Sequence, residues 1–480
     1  MRLAKILVII AGGLALAALP LTRAALLVAG VAVLIATFVF PEVSLYLLVF
    51  AVPFASLQPL SVAGMSLTAT DVLVGLLAAA WLARSMARRE VRPAHAPLIL
   101  PLLLFLLAQV LSLFDALSYA RAAKELIKWS EILVVYSVAA AVLSCREAGR
   151  DSAAEAPRSP MPPRLHILVS LVLLAGLAEA LLGIYQFIFG AGPSSFLLGR
   201  FLRAYGTFAQ PNPYAGYLNL SLPLAYALLL AGHHGHRATQ RKDAVLIAWL
   251  AVVGAAFLMS FSRGAWIGFA VAVMVVSILH SRRTALALAA GSGVLVAIFI
   301  LSSVNLLPSA LTQRFSAVTD YFRIFDARNV KVTDANFAIV ERMAHWQAAW
   351  YMFNDRPWLG FGIGNYPAAY PRYSLAGWKE DLGHAHNFPL NVAAETGLIG
   401  LATYGFFLMA ALWSCWQTAR AAGTGGNVLG RAIVLGVLGV LLAKITHEML
   451  DDLWVHGMGV QVAILLAMVY NVQQQVTVHR

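Results

Sequence analysis

The sequence predicts an all-α protein that crosses a membrane many times, a polytopic bundle of transmembrane helices with one large external loop. Of its 480 residues, 60% are hydrophobic and only 12% are charged, and the mean hydropathy is +0.77. Water-soluble domains contain about 45–50% apolar and about 25% charged residues. The composition therefore excludes a water-soluble globular protein, and apolar segments of spanning length recur along nearly the whole chain.

Each of these apolar segments is predicted to be a helix, because lipid offers an unpaired backbone no other hydrogen-bonding partner. The first segments are short and interrupted by proline, so we expect about 12 to 14 spans. The start of the chain resembles a signal peptide, but the many following spans favour an uncleaved first anchor. The predicted spans lie near 4–19, 24–40, 43–60, 69–84, 97–114, 126–144, 165–190, 212–232, 244–261, 264–280, 284–302, 388–418, 428–446 and 457–472.

The basic residues predict the orientation, because Lys and Arg concentrate in cytoplasmic loops. They cluster at both chain ends and in alternate connecting segments, so most of the net charge of +12 marks the cytoplasmic side and both termini are expected there. The clustered segments are 84–92, 145–164, 237–242 and 282–283. The predicted units are an N-terminal transmembrane block of about 11 spans (1–302) with a flexible cytoplasmic linker (145–164), an external loop (303–387) and a C-terminal block of about three spans (388–480).

The external loop is predicted to contain amphipathic helices. Glu341–Phe353 places Met343, Trp346, Trp350 and Phe353 at helical spacings of three and four. Such a stripe is able to lie on the membrane surface or to pack over the mouth of the bundle, and packing is the simpler interpretation. The only two cysteines, Cys145 and Cys415, lie near predicted cytoplasmic ends and do not form a disulfide framework.

Four ionisable residues at the predicted external face are candidates for chemistry, because such groups are costly near a bilayer core. Arg203 precedes the eighth predicted span, and Arg263 lies between the ninth and tenth. Arg342 lies on the predicted loop helix, and His386 lies where the loop re-enters the membrane. Guanidinium groups match phosphate oxygens bidentately, and histidine titrates near neutrality and suits a general base. Singly, such residues are also typical of snorkelling arginines and of packed histidines.

Two further residues are expected to support this site. Asn387 is predicted to cap a helix that has Pro389 in its first turn. Glu395 follows, about 13 Å below His386 at 1.5 Å per residue of a continuous helix. No Asp-x-Asp cluster of the kind that holds Mg²⁺ accompanies them. We therefore expect neither a metal nor a cofactor.

Several short elements resemble the O-antigen ligase and O-antigen polymerase superfamily of bacterial membrane glycosyltransferases. They are SFSRGAWIGF, the RMAHW helix, DRPWLGFGIGN and HAHNFPLNVAAETGLIG, and the resemblance covers roughly residues 165–450. Ligases of that family require an Arg after the Ser of the SRG element, an Arg on the periplasmic helix and a His before Asn. The matching positions here are Arg263, Arg342 and His386, and Arg203, upstream of GTFAQPN, is a further candidate.

The resemblance implies metal-independent glycosyl transfer at the outer face of the bacterial inner membrane. The donor would be a glycan on undecaprenyl pyrophosphate, and the acceptor would be lipid A–core in a ligase or another lipid-linked glycan in a polymerase. The arginines would stabilise the leaving pyrophosphate, His386 would act as general base in an inverting displacement, and the loop would position the acceptor. Its partners are thus two glycolipids and the bilayer, and no nucleic acid.

Similar motifs also occur in protein O-glycosylating transferases and in a cyanobacterial group linked to bicarbonate uptake, several members of which lack the His-Asn pair. The presence of His386 and Asn387 favours a transferase. A small-anion transporter of the bicarbonate type remains the alternative from another class. It predicts inverted repeats and charges near the midplane, whereas the charges here cluster at one face. A structural scaffold would not need them.

Two other charged clusters have simpler interpretations. One, formed by His447, Glu448, Asp451, Asp452 and His456, lacks the spacing of a zinc protease, and a solvated external loop is favoured over a cation or acceptor site. The other is expected to consist of ion pairs within one helix, at spacings of three and four. Its members are Lys124, Glu125, Lys128 and Glu131.

Overall fold

The structure is a computed structural model, and it confirms the all-α prediction. It describes residues 20–54, 60–62, 65–87, 89, 96–144, 162–232, 237–291, 325–333 and 336–478. The predicted first span (4–19) and nearly all of the predicted cytoplasmic linker lie outside these residues. Among the described residues, nine helices are long and apolar enough to cross a membrane.

The helices follow one another with short connections. Those of the first part are α1 (Leu21–Val39), α2 (Glu42–Phe54), α3 (Ala69–Ala87), α4 (Ile99–Leu111), α5 (Tyr119–Ser144), α6 (Pro163–Phe189), α7 (Pro211–Leu218), α8 (Leu222–Gly232), α9 (Arg237–Met259) and α10 (Arg263–His280). Those of the second part are α11 (Phe337–Asp355), α12 (Tyr366–Tyr373), α13 (Phe388–Thr424), α14 (Val428–Glu448) and α15 (Met458–Val478). Two short antiparallel hairpins pair β1 (Leu60–Val62) with β2 (Met65–Leu67), and β3 (Leu197–Leu198) with β4 (Phe201–Leu202).

The predicted spans coincide with helices from 24–40 to 264–280 and again from 388 onward, with two corrections before α13 and a third within it. The span predicted at 43–60 ends at Phe54, and a strand has begun at Leu60. The span predicted at 212–232 is divided into α7 and α8. The span predicted at 284–302 needs no correction where it is described, since it is helical as far as residue 291, the last residue described there. The apolar pattern locates helices well because every spanning helix needs it, but it does not register local breaks.

The third correction concerns α13, which is interrupted where one continuous helix was predicted. Gly397 has non-helical torsion angles (φ 63°, ψ −162°). The break is paired with a loop that follows α11, in the layer formed by α11 and α12, which we call the external layer after the loop predicted there. Leu398 N–H donates to Pro357 O (2.7 Å), and Phe361 N–H donates to Ala394 O (3.1 Å). These bonds satisfy backbone groups that the interruption leaves without helical partners. The residues before Gly397 therefore belong to the external layer and not to a straight span.

The contacts between helices define two ends of the bundle. At one end Arg164 pairs with Glu42 (3.1 Å), and the Arg431 guanidinium donates to Leu279 O (2.7 Å). At the other end Asn212 Nδ2 donates to Asp451 Oδ2 (2.7 Å). The arginines predicted to be cytoplasmic thus lie at the first end, and the candidate site lies at the second.

The core of the bundle is formed around α14 and α15. Most residues of both helices are buried, including Gln461 and Asn471 of α15. An apolar surface all round a helix is typical of this central position. On α14, Gly436 allows close contact with Leu224 of α8. The C-terminal helices are therefore the scaffold on which the segment between them, residues 449–457, is held.

The external layer contains α11 and α12, which confirms the predicted loop helix with wider bounds. Its packed face differs from the predicted stripe: Met343 is buried, whereas Trp350 is 52% exposed. Val340, Ala344 and Ala348 complete the buried side of α11. The small alanines fit the narrow space against neighbouring segments, and this requirement is not visible in a pattern of large apolar residues.

Candidate functional site

Two segments far apart in the sequence meet at the second end of the bundle. One is the turn before α13, with His384 and His386, and the other is the turn after α14, with Asp451. His386 Nδ1 lies 3.5 Å and His384 Nε2 lies 3.8 Å from Asp451 Oδ1. The 3.5 Å separation is at the long limit of a hydrogen bond, and catalytic hydrogen bonds are often long before substrate binds.

The backbone of His386 is held in a strained conformation. Its φ of 53° lies in the left-handed region, which a non-glycine residue adopts at a cost. His386 N–H donates to His384 Nδ1 (3.1 Å), and Trp346 Nε1 donates to His386 O (3.1 Å). His384 Nδ1 therefore acts as an acceptor. In the side chain of His386, Nδ1 faces Asp451, and Nε2 has no hydrogen-bond partner among the residues that the structure describes.

Asp451 is buried, and each of its carboxylate oxygens accepts a hydrogen bond. Asn212 Nδ2 donates to Oδ2 (2.7 Å), and Asp452 N–H donates to Oδ1 (2.9 Å). Burial alone would raise the pKa of Asp451, but hydrogen bonding from His386 and the charges of His386, His384 and Arg342 hold that pKa well below its usual range. Asp451 is therefore an anion that orients the imidazole of His386.

A third histidine supports His386 from behind. His345 on α11 is buried, its Nδ1 is 2.9 Å from the Tyr366 hydroxyl, and its ring lies 5.6 Å from that of His386. Burial, followed by the charges of His386 and His384, lowers the pKa of His345 to about 3. His345 is therefore neutral, and its ring, held by Tyr366, packs against that of His386. Burial also lowers the pKa of His384, to which the charge of His386 adds.

Arg203 is connected to Asp451 through one side chain. Its Nε donates to Ser260 O (2.8 Å), and its guanidinium donates to Asn212 Oδ1 (3.0 Å). Asn212 in turn donates to Asp451. These contacts fix the start of α7 and the turn before α10 against the histidine pair, so the structure brings Arg203 to the site.

Arg263 is exposed at the first position of α10, beside the turn that carries Asp451. The residues on either side of Arg263 contact His447 at the end of α14. On one side, Ser262 Oγ is 3.4 Å from His447 Nε2. A Cβ added at Gly264 would lie 2.8 Å from His447 Cδ2, so only glycine fits this approach without a shift. The SRG element is thus held on α14, with its arginine directed away from the helix core.

Arg342 reaches the same site from α11. It lines a small hollow with Trp346 and with Leu450, the residue before Asp451. Its charge acts on both Asp451 and His384, lowering the pKa of each. Arg203, Arg263 and Arg342 are therefore all adjacent to the His386–Asp451 pair or to the turn that carries it.

The two supporting residues have structural contacts. The Asn387 side chain accepts Leu390 N–H (3.0 Å), and this confirms the predicted helix cap. Glu395 is buried and accepts the N–H groups of Gly364 and Tyr366, each at 2.9 Å. Its carboxylate thus fixes the external loop at the start of α12. The helix from Phe388 to Glu395 is continuous, as predicted, and the break at Gly397 comes two residues after Glu395.

The cluster from His447 to Asp452 is a correction to the solvated loop that was favoured from sequence. His447, Glu448 and Asp451 are all buried. Glu448 pairs with Lys444 and accepts a hydrogen bond from the Tyr404 hydroxyl (2.8 Å). A buried ion pair of this kind fixes the local geometry. It holds the turn that presents Asp451, whose role a search for charged clusters alone did not identify.

One of the predicted ion pairs within α5 is present, and two site residues were missed. Glu125 and Lys128 form the expected pair at a spacing of three, whereas Lys124, also expected to pair, forms no ion pair with a described residue. His384 was not predicted as a site residue, although the His-Ala-His spacing was a usable signal. Asn212 was also missed, because an asparagine in a proline-rich turn usually has only a turn-forming role.

The geometry is suited to two kinds of chemistry. In the first, Asp451 orients His386, whose Nε2 takes a proton from a hydroxyl, as in serine hydrolases. In the second, His384, His386 and Asp451 bind a divalent cation, since their potential ligand atoms lie within 4.8 Å of one another. The surrounding arginines favour the first, because a cluster of cations is a poor neighbourhood for a metal ion and a good one for phosphate.

The sequence profile of the O-Antigen ligase family matches residues 246–405. This segment contains Arg263, Arg342, His386, Asn387 and Glu395, and it confirms the resemblance inferred from the short motifs. Arg203, Asn212 and Asp451 lie outside it, and the structure brings all three to the same site. No curated protein matches the chain.

Proposed function

We propose, on the premise that residues 246–405 are an O-antigen ligase domain, that this protein transfers a glycan from undecaprenyl pyrophosphate to a lipid A–core acceptor. The coarser function, a membrane glycosyltransferase of the O-antigen ligase or polymerase type, follows from the matched family and from helices of membrane-spanning length. The donor, the acceptor and the residue roles are the proposal.

The observation that supports the proposal best is the pairing of His386 with buried Asp451 beside three arginines. A general base needs an orienting partner and a free nitrogen, and His386 has both. A leaving pyrophosphate needs fixed cations where its charge develops. Arg203, Arg263 and Arg342 supply these cations without a metal.

The proposed reaction is a single inverting displacement. His386 Nε2 takes the proton of the acceptor hydroxyl while that oxygen forms a bond to the anomeric carbon of the donor sugar. The bond between this carbon and the pyrophosphate oxygen breaks, and its electron pair leaves with undecaprenyl pyrophosphate. Asp451 stabilises the imidazolium that forms on His386, and the arginines stabilise the leaving anion.

The proposed location is the bacterial inner membrane, with both termini in the cytoplasm and the site at the periplasmic face. Two observations support it: the basic segments predict the orientation, and Arg164 and Arg431 lie at the end of the bundle opposite the site. Lipid-linked donor and acceptor would both reach the site from the bilayer.

The test is deletion of the gene in its native host, followed by gel analysis of surface polysaccharides and complementation. Wild-type protein is expected to restore glycan joined to lipid A–core. Arg263→Ala is expected to transfer glycan about 10²–10³ times more slowly, the cost typical of removing one group that stabilises transition-state charge. Arg372→Ala, which removes an arginine from the exposed surface of the external layer, serves as a control.

The product distinguishes the two family activities. Loss of glycan from lipid A–core on deletion supports the ligase, whereas shortened lipid-linked chains support the polymerase, which uses the same displacement. Unchanged surface polysaccharides in the deletion strain would reject both.

A chelator is expected to leave the activity unchanged within about twofold, because the proposed charge stabilisation comes from arginines and not from a metal. The measurement is the transfer rate of purified protein after EDTA treatment and buffer exchange. Added Zn²⁺ is expected to inhibit, since His384, His386 and Asp451 would bind it and His386 would lose its role as base. Strong inhibition by EDTA, reversed by a divalent cation, would instead assign these three residues to a metal site.

A further inference from the structure

A cavity of about 520 Å³ lies next to the histidine pair and is separate from the arginines of the site. Its walls come from the start of α5, the turn before α12 and the segment around the start of α13. His384 lines it, whereas Arg203, Arg263 and Arg342 do not. Its volume is in the range of small-molecule sites, about 300–1,000 Å³.

The wall of the cavity is partly polar and partly apolar, and it carries two cations that form no ion pair with an acidic residue in the described part of the chain. Arg121 and Lys124 lie three residues apart on the first turns of α5, both exposed. Neither makes an ion pair with any residue that the structure describes. A guanidinium and an ammonium on one helix face attract phosphate or carboxylate.

The acidic residues of the cavity are already engaged within the protein. Glu125 pairs with Lys128, and Glu395 accepts two backbone N–H groups. Asp452 accepts Trp454 N–H (2.8 Å). None of these carboxylates forms an ion pair with Arg121 or Lys124, so both cations are available to an anionic group of a ligand.

The shape of the cavity is set by glycines that bring its two walls together. A Cβ on Gly364 (φ 72°) would lie 2.9 Å from Arg121 O, and a Cβ on Gly362 (φ 91°) would lie 2.6 Å from Ala116 Cα. Both positions thus need glycine for torsion angle and for space. This close approach fixes the start of α5, and with it Arg121 and Lys124, against the external layer.

We propose that this cavity binds the acceptor saccharide, and that Arg121 and Lys124 recognise an anionic group that the acceptor carries, a phosphate or a carboxylate. The inference rests on the proposed function, because a transferase needs separate sites for its two substrates on either side of the base. The arginine site serves the donor pyrophosphate. His384, whose ring centroid is 4.3 Å from that of His386, is the wall common to the acceptor cavity and the base.

The kinetic test uses protein in nanodiscs, with the acceptor lipid fraction extracted from the deletion strain and with its lipid-linked glycan as donor. The Arg121→Gln/Lys124→Gln double variant is expected to raise the KM for the acceptor at least tenfold, with kcat within threefold and the donor KM within twofold. Arg372→Gln/Lys379→Gln makes the same charge change on the exposed surface of the external layer and is expected to alter none of them. An unchanged acceptor KM, or an increase in the donor KM instead, overturns the inference.

Two chemical treatments of the acceptor fraction identify the anion. Removal of phosphate esters with hydrofluoric acid is expected to abolish the difference between wild type and double variant if the group is a phosphate. Reduction of carboxyl groups is expected to do so if it is a carboxylate. A difference that survives both treatments contradicts recognition of an anion.

A binding test that needs no turnover separates this inference from the proposed function. Ala120, which lines the cavity, is replaced by cysteine in a Cys145→Ser background, and Cys415 is buried. The acceptor fraction is expected to slow labelling by a membrane-impermeant maleimide at least fivefold, and undecaprenyl pyrophosphate is expected not to. Protection by the acceptor without transfer would refute the function alone. Protection by undecaprenyl pyrophosphate, or no protection, would refute the acceptor cavity.

Discussion

Replacing His386 by alanine is expected to slow glycan transfer by about 10³-fold or more, with expression and membrane insertion intact. Among the residues the structure describes, the substitution removes the only imidazole that has a buried carboxylate 3.5 Å from one nitrogen and a second, buried nitrogen without a hydrogen-bond partner. General base catalysis contributes about 10²–10⁴-fold to rate. The measurement is the single-turnover transfer rate of purified protein.

Asp451→Asn is expected to lower the same rate by about 10²–10⁴-fold, because an amide neither fixes the imidazole tautomer nor stabilises the imidazolium. The His386→Ala/Asp451→Asn double variant should be no slower than His386→Ala, since residues that act as one unit are not additive. This result separates a catalytic pair from two independent structural effects, which would multiply.

His166→Ala is the matched control, because it removes an exposed imidazole at the opposite end of the bundle. It should retain wild-type activity. Transfer at the wild-type rate by His386→Ala protein would reject the proposed base, and a fully active Asp451→Asn variant would reject the pair.

The largest effect on stability is expected for Gly397→Ala. Gly397 has torsion angles that are available essentially only to glycine, and a Cβ there would lie 2.2 Å from the carbonyl carbon of Trp358. Backbone strain alone costs about 1–3 kcal/mol, and the steric clash adds to it. We expect a decrease in the apparent melting temperature of about 5 °C or more in detergent.

Gly405→Ala provides the comparison within the same helix. A Cβ at Gly405 meets no atom within 4 Å, so alanine is expected to be neutral or to stabilise by about 0.5–1 kcal/mol. Equal melting temperatures for the two variants would show that the break in α13 is not required. Loss of stability in Gly397→Ala alone would support the paired arrangement of α13 with the loop around Trp358.

The helices could be predicted because their signal is local. Apolar runs, a capping asparagine at 387 and the spacing of apolar residues in 341–353 each depend on neighbours along the chain. The motifs around Arg263, Arg342 and His386 were also readable in this way. Basic residues add the orientation, since their distribution among loops is a property of the sequence alone.

The breaks in those helices could not be predicted from the same signal. An apolar pattern is identical whether a helix is straight or interrupted, as at Gly397 and between α7 and α8. The interruption of α13 is stable only because the loop at 357–361 supplies hydrogen bonds to it. That loop is more than thirty residues away in sequence.

The composition determined that this protein is an all-α membrane protein, and its motifs indicated a resemblance to the O-antigen ligase family and three candidate residues. The tertiary structure decided that Asp451 joins His386, that Arg203 reaches them through Asn212, and that Glu395 holds the external loop. It also placed Arg121 and Lys124 beside His384. The physical reason is that membrane insertion depends on composition summed along each segment, whereas a site depends on distances between segments, which only the packing of the whole chain fixes.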